Sequence, residues 1–173
     1  MDPANSTRPD APPVAIVVSR YNGSVTSRLR EGAEAAHAAR CPGGGLDVIE
    51  APGAYELIAI GAAAAKTGRY RGVVALGCVI KGETDHDRYI NEAVANSLGA
   101  ATVETGVPIG FGLVTTNDVE QAMDRAGGTN GNKGADAMDA VLDSIAAIDA
   151  IRGADEYGLR VTLKSDPNDK AAG

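Results

Sequence analysis

Aromatic residues are scarce in this sequence, whose 173 residues include one phenylalanine, five tyrosines and no tryptophan. Hydrophobic residues still make up 44% of the chain, and alanine supplies much of that share. This length and this share suffice for one compact domain with a core, and they argue against two independent domains. Because bulky side chains are few, we expect helices and strands to pack closely and copies of the chain to associate.

Positively charged residues are also fewer than negatively charged ones. Lysine and arginine together number 16 against 23 aspartates and glutamates, which leaves a formal net charge of -7. A negative surplus of this kind argues against nucleic acid as the main partner. If the ligand is an anion, cations close to its site must override the overall field.

The chain has two cysteines and no long apolar run. Cys41 and Cys78 lie in a predicted loop and a predicted buried strand, which indicates free thiols rather than a disulfide framework. Charges and prolines occupy the positions where a signal peptide needs apolar residues, and no stretch is apolar enough to span a bilayer. We therefore expect a cytoplasmic protein without a membrane partner.

Strand and helix signals alternate along the middle of the chain. An uninterrupted β-branched run at 14–18, typical of a strand covered on both faces, predicts the first strand. Further strands are predicted at 46–50, 73–80 and 109–115. The segments between them carry apolar residues at helical spacing. Parallel pairing through right-handed crossovers then predicts a three-layer, doubly wound α/β sandwich of the flavodoxin-like type, with a four-stranded parallel sheet flanked by helices.

The two ends of the chain have a different composition. Residues 1–13 include four prolines and almost no apolar residue, which predicts a flexible N-terminal arm. Residues 153–173 are predicted to form a C-terminal extension that is flexible from about residue 164. The folded domain is expected to cover residues 14–152.

Polar segments follow each predicted strand. In open α/β sheets, ligands bind beyond the carboxyl ends of the strands. Tyr21 and Asn22, residues 52–56, residues 81–86, and Thr115 with Thr116 occupy those positions. We therefore expect these segments to meet on one rim of the sheet.

The richest of them lies within GCVIKGETDHDRYINEAV, residues 77–94. Amides near the start of the following helix favour an anion such as phosphate, and His86 would exchange protons near neutral pH. Alternatively, an aspartate caps the helix and His86 is an exposed bystander, and spacing alone does not decide between these. A metal site is disfavoured because adjacent side chains diverge and no second histidine lies near in sequence.

Other candidate residues have ordinary interpretations when taken singly. The PGAYE segment, residues 52–56, is also a plausible helix start. GGTNGNKG, residues 127–134, follows a helix rather than a strand and so fails the phosphate-loop pattern. Phe111 would be a core aromatic in a monomer, Arg125 a solvated charge, and His37 a structural or exposed residue within a helix.

Several motifs together carry a resemblance to a known family. The segments IVVSRYNGSVT, APGAYE, LGCVIKGETDH, VPIGFGLVTT, and EQAMDRAGG followed by GNKG occur in that order between about residues 14 and 151. In order and separation they resemble the 6,7-dimethyl-8-ribityllumazine synthases. The resemblance implies condensation of 5-amino-6-(D-ribitylamino)uracil with 3,4-dihydroxy-2-butanone 4-phosphate, releasing phosphate and water, in the penultimate step of riboflavin biosynthesis. It implies neither a metal nor an organic cofactor.

The resemblance also assigns roles to individual residues. It implies that His86 transfers protons and that Phe111 and Arg125 come from an adjacent subunit. The residues implied to contact the pyrimidine ring and ribityl chain are Tyr21, Ala54, Tyr55, Glu56, Cys78, Val79, Ile80 and Phe111, with residues 78–80 acting through their backbone. The residues implied to hold the phosphate are Glu83, Thr84 and Arg125, with Lys133 as a further candidate.

Members of this family assemble as pentamers, and many join twelve pentamers into a hollow icosahedral shell. This chain has no insertion between Arg125 and GNKG, which favours the shell-forming members. Riboflavin synthase is a candidate partner by the same resemblance.

Three residues depart from the family pattern. Tyr21 replaces a phenylalanine or tryptophan, and its hydroxyl needs a partner. Glu83 replaces a small residue, so that only its backbone N–H suits a phosphate. Asp87 replaces an aromatic residue, and its charge beside His86 favours the imidazolium and predicts a higher pH optimum.

Two other functions are alternatives to the enzyme. One is a lumazine- or flavin-binding relative without turnover, and the other is a scaffold whose rim aspartates hold a divalent ion.

Overall fold

The computed structural model describes residues 12–152. Their elements are, in order, β1 (Val14–Ser19), α1 (Gly23–Arg40), β2 (Leu46–Ala51), α2 (Leu57–Lys66), β3 (Gly72–Ile80), α3 (His86–Thr105), β4 (Ile109–Thr116), α4 (Val119–Asp124), β5 (Ala126–Gly128), β6 (Gly131–Asn132) and α5 (Lys133–Arg152). None of the helices in this part of the chain is long and apolar enough to cross a bilayer. The predicted arm, 1–13, and extension, 153–173, lie outside the described residues except for Pro12 and Pro13.

The main sheet has four parallel strands in the order β2-β1-β3-β4. Every residue of β1 is buried, and so are all residues of β3 except Ile80, because helices cover both faces of these central strands. This confirms the predicted flavodoxin-like sandwich. Each predicted strand is one residue longer in the structure, because the ladder extends past the apolar run that identified it.

Alternate residues of the central strands face two separate apolar cores. Ile16 belongs to one core, with Met138 of α5 and residues of α1 and α4. Val17 belongs to the other, with Leu57 of α2 and Leu98 of α3. This alternation divides the five helices between the two faces and leaves the carboxyl ends of the strands uncovered.

The glycines of β4 leave room for a helix rather than for a ligand. A Cβ atom on Gly110 would lie 2.6 Å from the backbone oxygen of Ala137 in α5, and one on Gly112 would lie 2.5 Å from the side chain of Leu76. These glycines thus let α5 and the core approach β4 closely.

The GGTNGNKG segment, interpreted from the sequence as a loop, contains the short antiparallel hairpin of β5 and β6. The side-chain amide of Asn132 donates to the carbonyl oxygen of Arg28 in α1 at 2.8 Å. Its Oδ1 accepts hydrogen bonds from the amides of Gly134 and Ala135 at the start of α5. One side chain thus joins the hairpin to two helices, and glycine-rich composition alone does not reveal such an anchor.

His37 is structural rather than exposed. Its side chain lies in the buried face of α1 with 3% of its surface accessible, and its Nε2 atom has no hydrogen-bond partner in the described chain. Burial lowers the pKa of His37, because desolvation disfavours the charged imidazolium.

Candidate active site

A cleft of about 560 Å³ lies beyond the carboxyl ends of β1, β2 and β3. We call it the His86 cleft. It brings together most of the predicted site residues: Tyr21, Ala54, Tyr55, Glu56, Cys78, Val79, Ile80, Thr84 and His86. Its position is the one expected for a doubly wound sheet, where neighbouring strands end side by side and their loops diverge.

The turn after β1 presents Tyr21 at the mouth of the cleft. This tyrosine is 70% exposed, and its backbone amide donates to the Ser19 hydroxyl at 3.2 Å. Asn22 follows in the left-handed backbone region, and its carbonyl oxygen accepts the first hydrogen bonds of α1. The phenol of Tyr21 has no hydrogen-bond partner within residues 12–152, so the ring is available to stack on a flat ligand.

The turn after β2 forms a second wall. Ala54 is buried, whereas Tyr55 and Glu56 are exposed in the turn that precedes α2. A Cβ atom on Gly53 would lie 2.8 Å from Oε2 of Glu56, so the carboxylate folds back over this glycine. Glu56 thereby reaches the cleft wall as an acceptor for ligand hydroxyls or N–H groups.

The end of β3 forms the floor of the cleft. The Cys78 thiol faces the α5 side of the sheet, only 1% of the residue is exposed, and burial raises the pKa of this thiol to about 11. The thiol is therefore neutral at neutral pH and is a poor nucleophile. Residues 78–80 line the cleft, and the role that the resemblance implied for their backbone groups stays a prediction.

The loop between β3 and α3 has free backbone donors. Within the described chain, none of the amides of residues 82–87 donates a hydrogen bond, and Asp85, at the N-cap position of α3, makes no side-chain cap. Unpaired amides at the start of a 20-residue helix favour an anion. Thr84 and His86 line the cleft beside them, whereas Glu83 is exposed and does not.

Asp87 also lines the His86 cleft and is half-buried in the first turn of α3. Its carboxylate makes no ion pair with the imidazole of His86, although both side chains are described. The predicted influence of Asp87 on the pH optimum stays a prediction.

Phe111, Arg125 and Lys133 lie elsewhere, in a second cleft of about 400 Å³ beside the edge strand β4 and the start of α5. We call it the Arg125 cleft. Phe111 is 49% exposed there, so it is not the core aromatic that a monomer would favour. Thr115 also lines this cleft. Strand β4 ends on the same rim as β3, as expected, but its end opens into the Arg125 cleft rather than the His86 cleft.

The hairpin holds the two cations of the Arg125 cleft near each other. The backbone amide of Lys133 donates to the carbonyl oxygen of Arg125 at 2.8 Å. The Arg125 guanidinium donates to the carbonyl oxygen of Gln121 at 3.1 Å, and the Lys133 ammonium pairs with Asp136 at 2.8 Å. Arg125 keeps further donors for an anionic ligand, because a guanidinium has five N–H groups.

The two clefts share no lining residue and have complementary chemistry. No lysine or arginine of the described chain lines the His86 cleft, and no histidine of the described chain lines the Arg125 cleft. The proton-exchanging side chain and the cationic side chains thus lie in different clefts of one chain.

Comparison with known proteins shows the family of the chain. A family model described as 6,7-dimethyl-8-ribityllumazine synthase matches residues 12–149, nearly all of the described chain. The chain belongs to the 6,7-dimethyl-8-ribityllumazine synthase family. The resemblance inferred from the motifs is thereby confirmed.

Individual relatives span the same region. A protein from Caulobacter vibrioides named 6,7-dimethyl-8-ribityllumazine synthase 1 is 46% identical over 147 residues, which are 84% of this chain and 96% of that protein. Proteins named 6,7-dimethyl-8-ribityllumazine synthase from Deinococcus deserti and Nitratidesulfovibrio vulgaris are 44% and 39% identical over 76% and 79% of this chain. These matches cover 85% and 88% of those two proteins. The chain thus corresponds to nearly the whole length of its lumazine synthase relatives.

Sequence reasoning did not identify every residue of the His86 cleft. Asn22 and Ile90 line it, although Asn22 was predicted only to lie on the rim, without a role, and Ile90 was not predicted at the site. The available signal for Asn22 was an asparagine directly before a glycine at a helix start, a pattern typical of left-handed turns. Ile90 lies one turn after His86 on α3 and was assigned only to the apolar face of that helix.

Proposed function

We propose that the chain is a transferase that condenses 5-amino-6-(D-ribitylamino)uracil with 3,4-dihydroxy-2-butanone 4-phosphate to give 6,7-dimethyl-8-ribityllumazine, phosphate and water. Membership of the lumazine synthase family supports this activity. The observation that carries it is the division of chemistry between the two clefts, one with the proton-transfer group and the other with the cations.

The pyrimidine substrate occupies the His86 cleft in this proposal. Tyr21 stacks on its ring, and backbone groups of residues 78–80 bind the ring edge. Residues 54–56 contact the ring and the ribityl chain, with the Glu56 carboxylate accepting hydrogen bonds from hydroxyl groups. Phe111 of an adjacent subunit covers the opposite side of the ring.

The phosphate of the second substrate lies at the start of α3. The free amides of residues 82–87 and the Thr84 hydroxyl donate to it. The Glu83 carboxylate would repel a phosphate, so only the amide of Glu83 contributes. Arg125 of the adjacent subunit adds a charge-assisted contact, and Lys133 assists it. These cations offset the negative charge of the protein as a whole.

His86 moves protons between the two bound substrates. The ring amine attacks the ketone and water leaves, phosphate is then eliminated, and a second condensation closes the new ring with loss of water. Each stage transfers protons, and a histidine exchanges them near neutral pH. The remaining acceleration comes from holding two reactants together, so neither a metal nor an organic cofactor is required.

Self-association completes the site in this proposal. The partly exposed Phe111, the exposed alanines Ala59 and Ala63 of α2, and the separation of the clefts all support a cyclic pentamer with head-to-tail interfaces. The tight hairpin after Arg125 supports the further assembly of twelve pentamers into a shell. Native mass measurement distinguishes monomer, pentamer and shell.

Three further points rest on the same proposal. Residues 14–152 form the catalytic domain, with residues 1–13 and 153–173 as its extensions. Riboflavin synthase is the proposed partner, since it would consume the product. A cytoplasmic location stays a prediction from the composition of the sequence.

The activity is tested with the full chain and both substrates. Lumazine absorbance and released phosphate should rise together, one phosphate for each lumazine, well above the uncatalysed rate. Reactions that lack either substrate serve as controls. A rate equal to the uncatalysed rate would remove the proposed function, and binding of lumazine without turnover would favour a binding protein instead.

A further inference from the structure

Asn22 has an unusual backbone conformation at the edge of the His86 cleft. Its φ and ψ are 56° and 46°, and it is the one non-glycine residue between residues 12 and 152 with a positive φ. This left-handed region is unfavourable for most L-residues, although asparagine tolerates it. Strained conformations of this kind persist where the surrounding structure requires them, often beside binding sites.

The side chain of Asn22 does not perform the usual task of an asparagine at a helix start. An N-cap side chain normally accepts a hydrogen bond from an amide of the first helical turn. Asn22 makes no such bond. Instead, its Nδ2 donates to the carbonyl oxygen of Cys78 at 2.9 Å, 56 residues away in sequence.

That hydrogen bond continues the sheet beyond the point where its strands stop pairing. The ladder between β1 and β3 ends at Val18 with Leu76, while β3 continues to pair with β4 as far as Ile80. The carbonyl oxygen of Cys78 faces β1 but lies beyond the last paired residue, so β1 offers it no backbone donor. The Asn22 amide takes the place of the missing strand and holds the end of β3 against the turn after β1.

We infer, on the basis of the proposed function, that Asn22 is a positioning residue for the pyrimidine half of the site. It directly follows Tyr21, the ring that stacks, and it binds the first residue of the 78–80 backbone that contacts the ring edge. One hydrogen bond therefore fixes the spacing between two walls of the cleft. The phosphate half, formed by α3 and the Arg125 cleft, does not depend on this bond.

Two substitutions separate positioning from folding. Asn22→Gly keeps the left-handed backbone without strain but removes the amide, and it should raise the Michaelis constant for the pyrimidine about 3- to 10-fold, as for one lost hydrogen bond. Asn22→Asp keeps the shape but sets a carboxylate against the Cys78 carbonyl, so its effect should be at least as large. The Michaelis constant for the phosphate substrate should not change in either variant.

Stability measurements exclude a simple folding effect. The charge of aspartate suits the N-terminus of α1 and offsets part of the lost hydrogen bond, so Asn22→Asp should lower the melting temperature only slightly. Gly106→Ala serves as the matched control, because it places a residue with a side chain at a backbone φ of 68°. Gly106 follows the last turn of α3, at the end of the sheet opposite the cleft. That control should lower the melting temperature and leave both Michaelis constants unchanged.

Titration calorimetry with the pyrimidine alone keeps the two proposals distinguishable. Failure of the proposed function appears as absent turnover in the unsubstituted chain, whereas the role of Asn22 is read from pyrimidine affinity. A selective 3- to 10-fold loss of affinity in both variants supports the positioning role. Unchanged affinity, equal changes for both substrates, or no pyrimidine binding by the unsubstituted chain overturns it.

Discussion

The His86 cleft and the Arg125 cleft are built in different ways. The first is formed where three strands end, and it offers turn residues, free amides and a histidine. The second lies beside an edge strand, and it offers an exposed aromatic ring and two cations held by a hairpin. The difference teaches that one chain carries two unlike clefts, with the histidine in one and the two cations in the other.

The largest expected effect concerns proton transfer in the His86 cleft. His86→Ala should lower kcat about 10²-fold, as for a single general acid-base group, while proximity still supplies much of the acceleration. His86→Gln keeps hydrogen bonding without proton exchange and should lose a similar factor in steady-state kinetics. Full activity of the glutamine variant would reduce His86 to a polar contact.

The second largest expected effect concerns the guanidinium of Arg125 in the Arg125 cleft. Arg125→Ala should raise the Michaelis constant for the phosphate substrate about 10- to 100-fold, as for a lost charge-assisted hydrogen bond, and spare the pyrimidine. Arg125→Lys should recover part of the loss. Arg69→Ala, which removes an exposed guanidinium near the opposite end of the sheet, is the control for net charge. Equal effects of the two alanine variants would remove Arg125 from the site.

Phe111 should contribute less than Arg125 and should act on the other substrate. Phe111→Ala removes a ring that we place over the pyrimidine of a neighbouring subunit, so the Michaelis constant for the pyrimidine should rise about 3- to 10-fold. Val103→Ala shortens another exposed apolar side chain, 87% accessible, and should change neither constant. A changed Michaelis constant for the phosphate substrate, with an unchanged Michaelis constant for the pyrimidine, would contradict the placement of Phe111 over the pyrimidine.

The smallest effect lies outside both clefts and tests stability alone. Because burial lowers the pKa of His37, the unfolded chain takes up a proton near pH 6.5 that the native chain does not. The free energy of unfolding should therefore be highest above pH 6.5 and fall as the pH decreases below it. In denaturant unfolding of His37→Gln, the free energy of unfolding should depend less on pH between pH 5 and pH 7. The same pH dependence in the variant and the unsubstituted chain would contradict the assignment of this effect to His37.

The sequence predicts the sheet well and the division of the site less well. Continuous runs such as residues 14–18 identify buried strands, because only strands covered on both faces tolerate them. The strand order then locates the His86 cleft by a general rule for such sheets. These inferences need only local patterns and one rule of topology.

Long-range contacts account for what local patterns miss. The bond between Asn22 and Cys78 joins residues 56 positions apart, and the anchor of Asn132 reaches a helix more than one hundred residues earlier. The identity of α5 as the element that approaches the glycines of β4 is likewise a contact that no spacing within β4 reveals. Such packing depends on the whole fold and not on the residues nearby in sequence.

Mixed assemblies test most directly whether the two clefts form one site across neighbouring subunits. His86→Ala and Arg125→Ala chains, each weakly active alone, should be coassembled in equal amounts and assayed at a low concentration of the phosphate substrate. Head-to-tail interfaces predict that about a quarter of the sites then combine an intact His86 with an intact Arg125, which restores a similar share of normal activity. A mixture no more active than the average of the two variants would contradict a shared site.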